Sequence, residues 1–437
     1  MKKGQELYKK AKTIIPGGTM LLSKRPEMFL PEGWPSYYQS TCGIEVTDLH
    51  NKKYRDMTIM GIGTNTLGYN NPFVDNSVIA AVKKGNMSTL NCPEEVELAE
   101  KLIELNPWAD MVRFARSGGE ANSIAIRIAR AACGKSKVAI CGYHGWHDWY
   151  LSTNHNSVEN DELKSHLLSG LSVDGVPKQL KNTVFGFEYN DIDGFKSLIE
   201  SEDIGVVKME VMRNYEPQNN FLSEIRKITK EKNIILIFDE CTSGFRETFG
   251  GLHKKYKVKP DMAMFGKTLG NGYAITAVVG KRGIMESAQN TFISSTFWTE
   301  RIGPTAGLAS IKQMEKLRSW KYITELGKSM KSAWRNLSEK HNLDIQIFGL
   351  DALATYSFKS SNALAYKTII TQLMLEKGFL ASTNFYPSTA HKQKDLHDYL
   401  NELDHVFHIL NKIEKQELGV EEILKGPVCH GGFKRLN

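Results

Sequence analysis

Residues 234–273 read IILIFDECTSGFRETFGGLHKKYKVKPDMAMFGKTLGNGY, joining two buried-looking strands to one acid and one lysine. Ile234 to Phe238 is a short, continuous apolar run, the mark of a parallel strand covered on both faces, and Met262 to Phe265 is a weaker second run. Asp239 ends the first run and Lys267 follows the second. In open α/β sheets ligands sit in the crevice outside the carboxyl ends of the strands, so an acid and a lysine at two such ends point into one pocket. Gly266, Gly270 and Gly272 leave room for a flat ligand to approach the backbone. The plain alternative is a strand-end acid and a solvated surface lysine.

Outward from this stretch, strands and helices alternate from Met111 to about Ser310, with strands at 112–115, 137–141, 204–210, 234–238 and 277–280. That alternation predicts an α/β fold: a mainly parallel central sheet wrapped by helices in a large domain over 61–310. Before it, residues 1–60 hold a short basic helix from Glu6 to Ile14, an irregular arm and a hairpin from Gly43 to Met57 that turns at Asn51-Lys52. The loop 61–71 is glycine-rich, and Glu94 to Leu105 has the spacing of an amphipathic helix with Val96, Leu98, Leu102 and Leu105 on one face. Residues 154–175 are polar and irregular. Residues 311–437 form a smaller α/β terminal domain that opens on one long helix to about His341, and residues 1–60 belong with it.

At 437 residues the chain buries a large core, and 41 % hydrophobic with 24 % charged residues is ordinary for a globular protein. No apolar run reaches membrane-spanning length and the first residues lack the pattern of a signal peptide, which places the protein in the cytoplasm with no membrane partner. The net charge of +7 is spread along the chain and forms no stripe, so no nucleic-acid partner is expected. The six cysteines show no CxxC pair or metal-ligand spacing; they read as reduced thiols, and no metal is expected.

FDECTSGFR and FGKTLGNGY together resemble the class III, fold-type I enzymes that use pyridoxal phosphate, with closest likeness to the glutamate-1-semialdehyde aminomutase branch. The resemblance runs from Pro16 to about Leu396. It implies Lys267 as the Schiff-base lysine and Asp239 as the partner of the cofactor's pyridinium nitrogen. The chemistry asks for the same pair, because a carboxylate against the ring nitrogen keeps it protonated and a lysine amine holds the aldehyde. Met111 to Arg130 reads as strand, tight turn and helix, and the amides at that helix start suit a phosphate dianion. Where the family has Ser-Gly-Thr-Glu-Ala, this chain has Ser117-Gly118-Gly119-Glu120-Ala121, so one hydroxyl is lost. Tyr143-His144-Gly145 matches the family's Tyr-His-Gly, which implies Tyr143 flat on the ring with His144 beside it; Cys241 would pack on the other face, where valine is usual. Glu210 resembles the glutamate before Pro-Val-x-Gly-Asn, although here Val211-Met212-Arg213-Asn214 follows, with Asn214 a candidate for the phenolic oxygen. Thr296 stands where the family offers a hydroxyl to the phosphate of the neighbouring subunit, implying a homodimer with a shared site.

Pyridoxal phosphate with a lysine supports transamination, intramolecular amine shift and racemisation alike, so substrate contacts choose. In the aminomutase an arginine shortly after Pro-Gly-Gly receives the substrate carboxylate, so the resemblance implies either Lys24 or Arg25, after Pro16-Gly17-Gly18, for a substrate anion, and Arg246 is a further candidate. In Phe385 to Leu396, FYPSTAHKQKDL resembles the aminomutase pattern, but Thr383 stands where its gating glutamate is expected. Without that group an intermediate is released and a second carbonyl substrate enters. The expectation is therefore an aminotransferase using an amino donor and a carbonyl acceptor on a small polar, sugar-like or phosphorylated substrate, with aminomutase second and racemase or epimerase third. The stretches FISSTFWTERIGPTAGLASI and KGPVCHGGFKRLN also resemble a branch of the family associated with bacterial surface sugars.

Overall fold

A computed structural model of the chain describes residues 3–159, 161–166 and 170–432. The last five residues of KGPVCHGGFKRLN, and residues 160 and 167–169 of the polar segment, lie outside them. The chain divides into two units, Met1–Asn71 with Lys321–Asn437 and Pro72–Trp320.

The first unit opens with a helix, Lys3–Ile14, and an antiparallel meander of β1 (Tyr38–Cys42), β2 (Glu45–Asp48) and β3 (Lys53–Asp56). The β2–β3 turn forms because Asp48 Oδ1 accepts the amides of His50 and Lys52, at 2.8 and 2.9 Å, while Asn51 takes a left-handed φ of 62°.

The second unit is built on seven strands: β4 (Met111–Ala115), β5 (Lys137–Cys141), β6 (Val184–Gly186), β7 (Ile204–Glu210), β8 (Ile235–Glu240), β9 (Met262–Phe265) and β10 (Thr276–Gly280). Their order is β4-β10-β9-β8-β7-β5-β6. Only β10 runs against its neighbours, pairing antiparallel with both β4 and β9. The carboxyl ends of the other six strands therefore share one edge of the sheet. Every residue of β7, β8 and β9 is buried, which is why 234–238 and 262–265 read as apolar runs without alternation. One face is covered by the helix Gly118–Cys133, whose Ile124, Ile128 and Ala129 pack with Ile140, Ile237 and Met264.

The helix Pro93–Leu105 buries Leu98, Leu102 and Leu105, but Val96 is exposed. Two residues span about 200° of helix, so Val96 stands opposite Leu98. Another expectation is corrected after Ile302. In place of one long helix there are two, Ile302–Leu317 and Ser319–Lys340, broken where Arg318 adopts a φ of 48° and its amide turns back to Met314 and Glu315. No glycine or proline marks the break.

The rest of the first unit adds β11 (Ile345–Phe348), β12 (Ala354–Phe358), β13 (Phe379–Leu380) and β14 (Asn384–Phe385). β11, β12 and β14 form a small sheet, and β13 pairs in parallel with β3. An aromatic core of Trp334, Tyr356, Tyr366, Phe385, Tyr399 and Phe407 joins these strands to their helices. Among the described residues no helix is long and apolar enough to cross a membrane.

Candidate active site

The six shared strand ends place Ser117 after β4, Tyr143 and His144 after β5, Glu210 at the end of β7, Asp239 near the end of β8 and Lys267 after β9. In the sheet register Glu210 faces Asp239 and Asp239 faces Met264, so residues far apart in sequence become neighbours.

Asp239 is 3 % exposed. His144 Nδ1 donates to its Oδ2 at 2.9 Å, the Cys241 amide donates to Oδ1 at 3.1 Å, and Lys208 Nζ lies 3.9 Å from Oδ2. Burial alone raises a carboxyl, but Lys208 and His144 outweigh it and hold Asp239 well below the usual carboxylate range. His144 is itself wholly buried, and its Nε2 has no hydrogen-bond partner among the described residues.

Lys267 sits at a left-handed φ of 41°, a rare conformation for a residue with a Cβ and one that collects at functional sites. Its Nζ donates to Thr242 Oγ1 at 2.8 Å. Burial first, then the Arg213 and Arg246 guanidiniums, lower its pKa to about 8. Arg246 is 1 % exposed, and Arg213 lies over the Tyr143 ring, 5.8 Å from its centroid, while bonding Glu210 at 3.2 Å.

The loop carrying Cys241, Thr242 and Arg246 is anchored by the buried Glu240. Its carboxylate accepts the amides of Leu252 and His253, the Ser243 hydroxyl at 3.1 Å and His253 Nδ1 at 2.6 Å. Trp108 donates to His253 Nε2 at 3.0 Å, which leaves the proton on Nδ1 facing the carboxylate.

Ser117 caps the helix Gly118–Cys133 in a reciprocal arrangement: Glu120 Oε2 accepts the Ser117 amide at 2.8 Å and Ser117 Oγ accepts the Glu120 amide. A Cβ on Gly119 would come within 3.3 Å of Trp146 and His147, so glycine suits this crowded turn. Gly142, at a φ of 105°, lets the chain pass Glu210, whose Oε2 would lie 2.6 Å from a Cβ there. Glu210 in turn accepts the Tyr143 amide at 3.1 Å. Burial raises the pKa of the Tyr143 phenol, and burial followed by Asp239 raises that of the Cys241 thiol, which suits packing and not nucleophilic attack.

Thr296 is exposed on the turn Thr296–Thr299, and Asn214 is exposed after β7. Lys24, Arg25 and Thr383 belong to the first unit. There Lys24 is exposed, Arg25 lies against Gly17, where a Cβ would meet its Nη2 at 2.3 Å, and the Thr383 carbonyl accepts the Tyr356 amide at 2.9 Å. No group of side chains among the described residues has the makeup of a metal site.

Three neighbours had no assigned role in the sequence reading: Thr242, Arg213 and Lys208. Only Lys208 carried a signal, as a charge inside the apolar run VVKME.

These residues fit pyridoxal phosphate by their own chemistry. An acid held ionised, an amine of lowered basicity and the first amides of a capped helix match the ring nitrogen, aldehyde and phosphate of that cofactor.

Comparison with known proteins agrees. The chain is 31 % identical over 380 residues to 3-aminobutyryl-CoA aminotransferase of Cloacimonas acidaminovorans, covering 85 % of this chain and 87 % of that one. It is 30 % identical over 419 residues to glutamate-1-semialdehyde 2,1-aminomutase of Saccharolobus islandicus, covering 91 % and 96 %. The fold superposes on the PLP form of the FumI protein from Sphingopyxis sp. MTA144 with a TM-score of 0.85 at 22 % identity, over 97 % and 99 % of the two chains. Fold-type I architecture and dependence on pyridoxal phosphate follow. Since the class III aminotransferase model matches residues 32–407, the chain belongs to the class III aminotransferase family of enzymes.

Proposed function

We propose that the chain is an aminotransferase that interconverts a carbonyl and an amine on a small polar metabolite, sugar-like or phosphorylated, through Lys267. The observation that carries this reading is the setting of that lysine, a partly buried amine of lowered basicity with two guanidiniums near it and an ionised acid at the adjacent strand end. When bound, pyridoxal phosphate supplies an electron sink for the carbon that bears the amine. Asp239 would hold the proton at the ring nitrogen, and the amides of Gly118 and Gly119, with the Ser117 hydroxyl, would hold the phosphate at the positive end of the helix. Tyr143 and Cys241 would lie on the two faces of the ring, His144 would steer the Asp239 carboxylate, and Glu210 would orient Tyr143 through its amide. Lys267 Nζ, directed by Thr242, would take the proton from the substrate carbon and return it.

Arg213 and Arg246 favour a substrate with an anionic group, and the relative named 3-aminobutyryl-CoA aminotransferase is in keeping with that. Lys24 or Arg25, and Asn214, are further candidates for substrate contact. Thr383, in place of the gating glutamate, favours an aminotransferase over the aminomutase that the second relative represents.

The test is a panel of amino donors and carbonyl acceptors, with the cofactor's absorbance followed between its aldehyde and amine forms. Half-reactions that release product support the reading; closed conversion of one substrate into its isomer would establish the aminomutase instead. Lys267→Ala should abolish turnover.

We also propose a homodimer with a shared site. Thr296 is exposed between Phe292 and Phe297, themselves 88 % and 71 % exposed, two apolar rings suited to a second copy. A monomer in sedimentation at micromolar concentration, or unchanged cofactor affinity in Thr296→Ala, would argue against it.

A further inference from the structure

Lys208 lies in the middle of β7, a strand with every residue buried, and is itself 0 % exposed. Placing an ammonium there is costly unless a partner compensates it. In the register of the sheet Lys208 faces Ile237, Glu210 faces Asp239, and Asp239 faces Met264. Side chains alternate along a strand, so Lys208, Glu210, Ile237, Asp239 and Met264 share one face, with Lys208 one step behind the acid. Its Nζ lies 3.9 Å from Asp239 Oδ2 and 2.8 Å from Met264 Sδ. Oδ2 is also the oxygen that His144 bonds. Burial lowers the pKa of the Lys208 amine, and of the groups that oppose it by keeping the proton on, Asp239, Cys241 and Glu210, Asp239 is the strongest.

A carboxylate sealed in this face, without a cation, would take up a proton to escape the cost of burial. A carboxyl that holds the proton cannot leave it on a ligand's nitrogen.

Resting on the reading of Asp239 as the ring-nitrogen partner, we propose that Lys208 is a positioning residue: its buried ammonium keeps Asp239 a weak base, so that the proton shared between carboxylate and cofactor rests on the ring nitrogen. Lys208 is wholly buried in β7, behind Asp239, so it would reach a cofactor only through that carboxylate. It acts through Asp239, from the side of the carboxylate turned into the sheet.

Two measurements decide this. In the apoenzyme, K208M, D239N and the double variant form a thermal-unfolding cycle. Each single change strands a buried group, so the double variant should be more stable than the sum of the two losses predicts. Additive losses would show that the two groups are not a pair and would overturn the inference. In the holoenzyme reconstituted with ring-15N pyridoxal phosphate, K208M should shift the nitrogen signal toward that of an unprotonated pyridine, and K208R, which keeps the charge, should restore most of the wild-type position. A signal that moves in D239N but not in K208M overturns the proposal for Lys208 alone. A signal unmoved by D239N refutes the role of Asp239 and the inference with it. Should K208M fail to fold, K208Q enters the same comparison, and a wild-type signal there is equally fatal.

Discussion

Replacing Arg213 by methionine (R213M) tests how Lys267 is set. The lysine's pKa of about 8, against an ordinary 10.5, comes first from burial and next from the Arg213 and Arg246 cations. At pH 7 about one amine in ten is neutral at that value, against about one in three thousand for an unperturbed lysine. Arg213 is partly exposed, so water screens its charge, and removing it is worth about 1 kcal/mol, the upper end for a solvent-screened ion interaction. Glu210, 3.2 Å from the guanidinium, loses its ion pair and acts on Lys267 in the same direction. The neutral fraction at pH 7 should therefore fall about fivefold. The assay is the rate at which apoenzyme captures pyridoxal phosphate, followed by absorbance as a function of pH. Capture needs the free amine, so the wild-type rate should rise with pH and level off above about 8. In R213M the curve should move to higher pH with an unchanged plateau. The cofactor's own ionisations are common to both proteins, so the displacement belongs to the chain. Superimposable curves would refute the electrostatic account of Lys267.

Glu240→Ala removes the acceptor for two amides, a hydroxyl and an imidazole N–H at once, and should destabilise the protein by about 3 kcal/mol in denaturant titration, with loss of cofactor as the loop of Thr242 and Arg246 loosens. His391, buried between Ser388 and the Asp56 carbonyl, is pushed from 6.5 to about 4, chiefly by burial. The unfolded chain binds the extra proton between those values, so the stability that the neutral ring carries is complete above about 6.5 and is lost as pH falls toward 4, about 3 kcal/mol in all. His391→Gln should flatten that acid limb in thermal melts; an unchanged slope would show that another group carries it.

Much of this was open to reading in the linear chain. The continuous apolar run at 234–238 announced a parallel strand buried on both faces, and chain order alone put Asp239 at the end of that strand and Lys267 just past the next. The Ser-Gly-Gly turn before an amphipathic helix announced the capped helix start, because capping is local chemistry. The turn at Asn51 was legible for the same reason. The break at Arg318 was not, since an ordinary residue there takes a conformation that packing imposes.

The two central residues show where the division falls. Their kinds and their positions at strand ends are properties of the sequence, because strand periodicity and length follow from which side chains need burial. Their chemical state is a tertiary property. Asp239 is held ionised because β5, β7 and β8 bring Lys208 and His144 to it from 31 and 95 positions away, and Lys267 is a weakened base because the fold buries it and then sets the Arg213 and Arg246 charges near it. Charge interactions depend on distance and on the water excluded between the groups, and only the folded sheet sets either one.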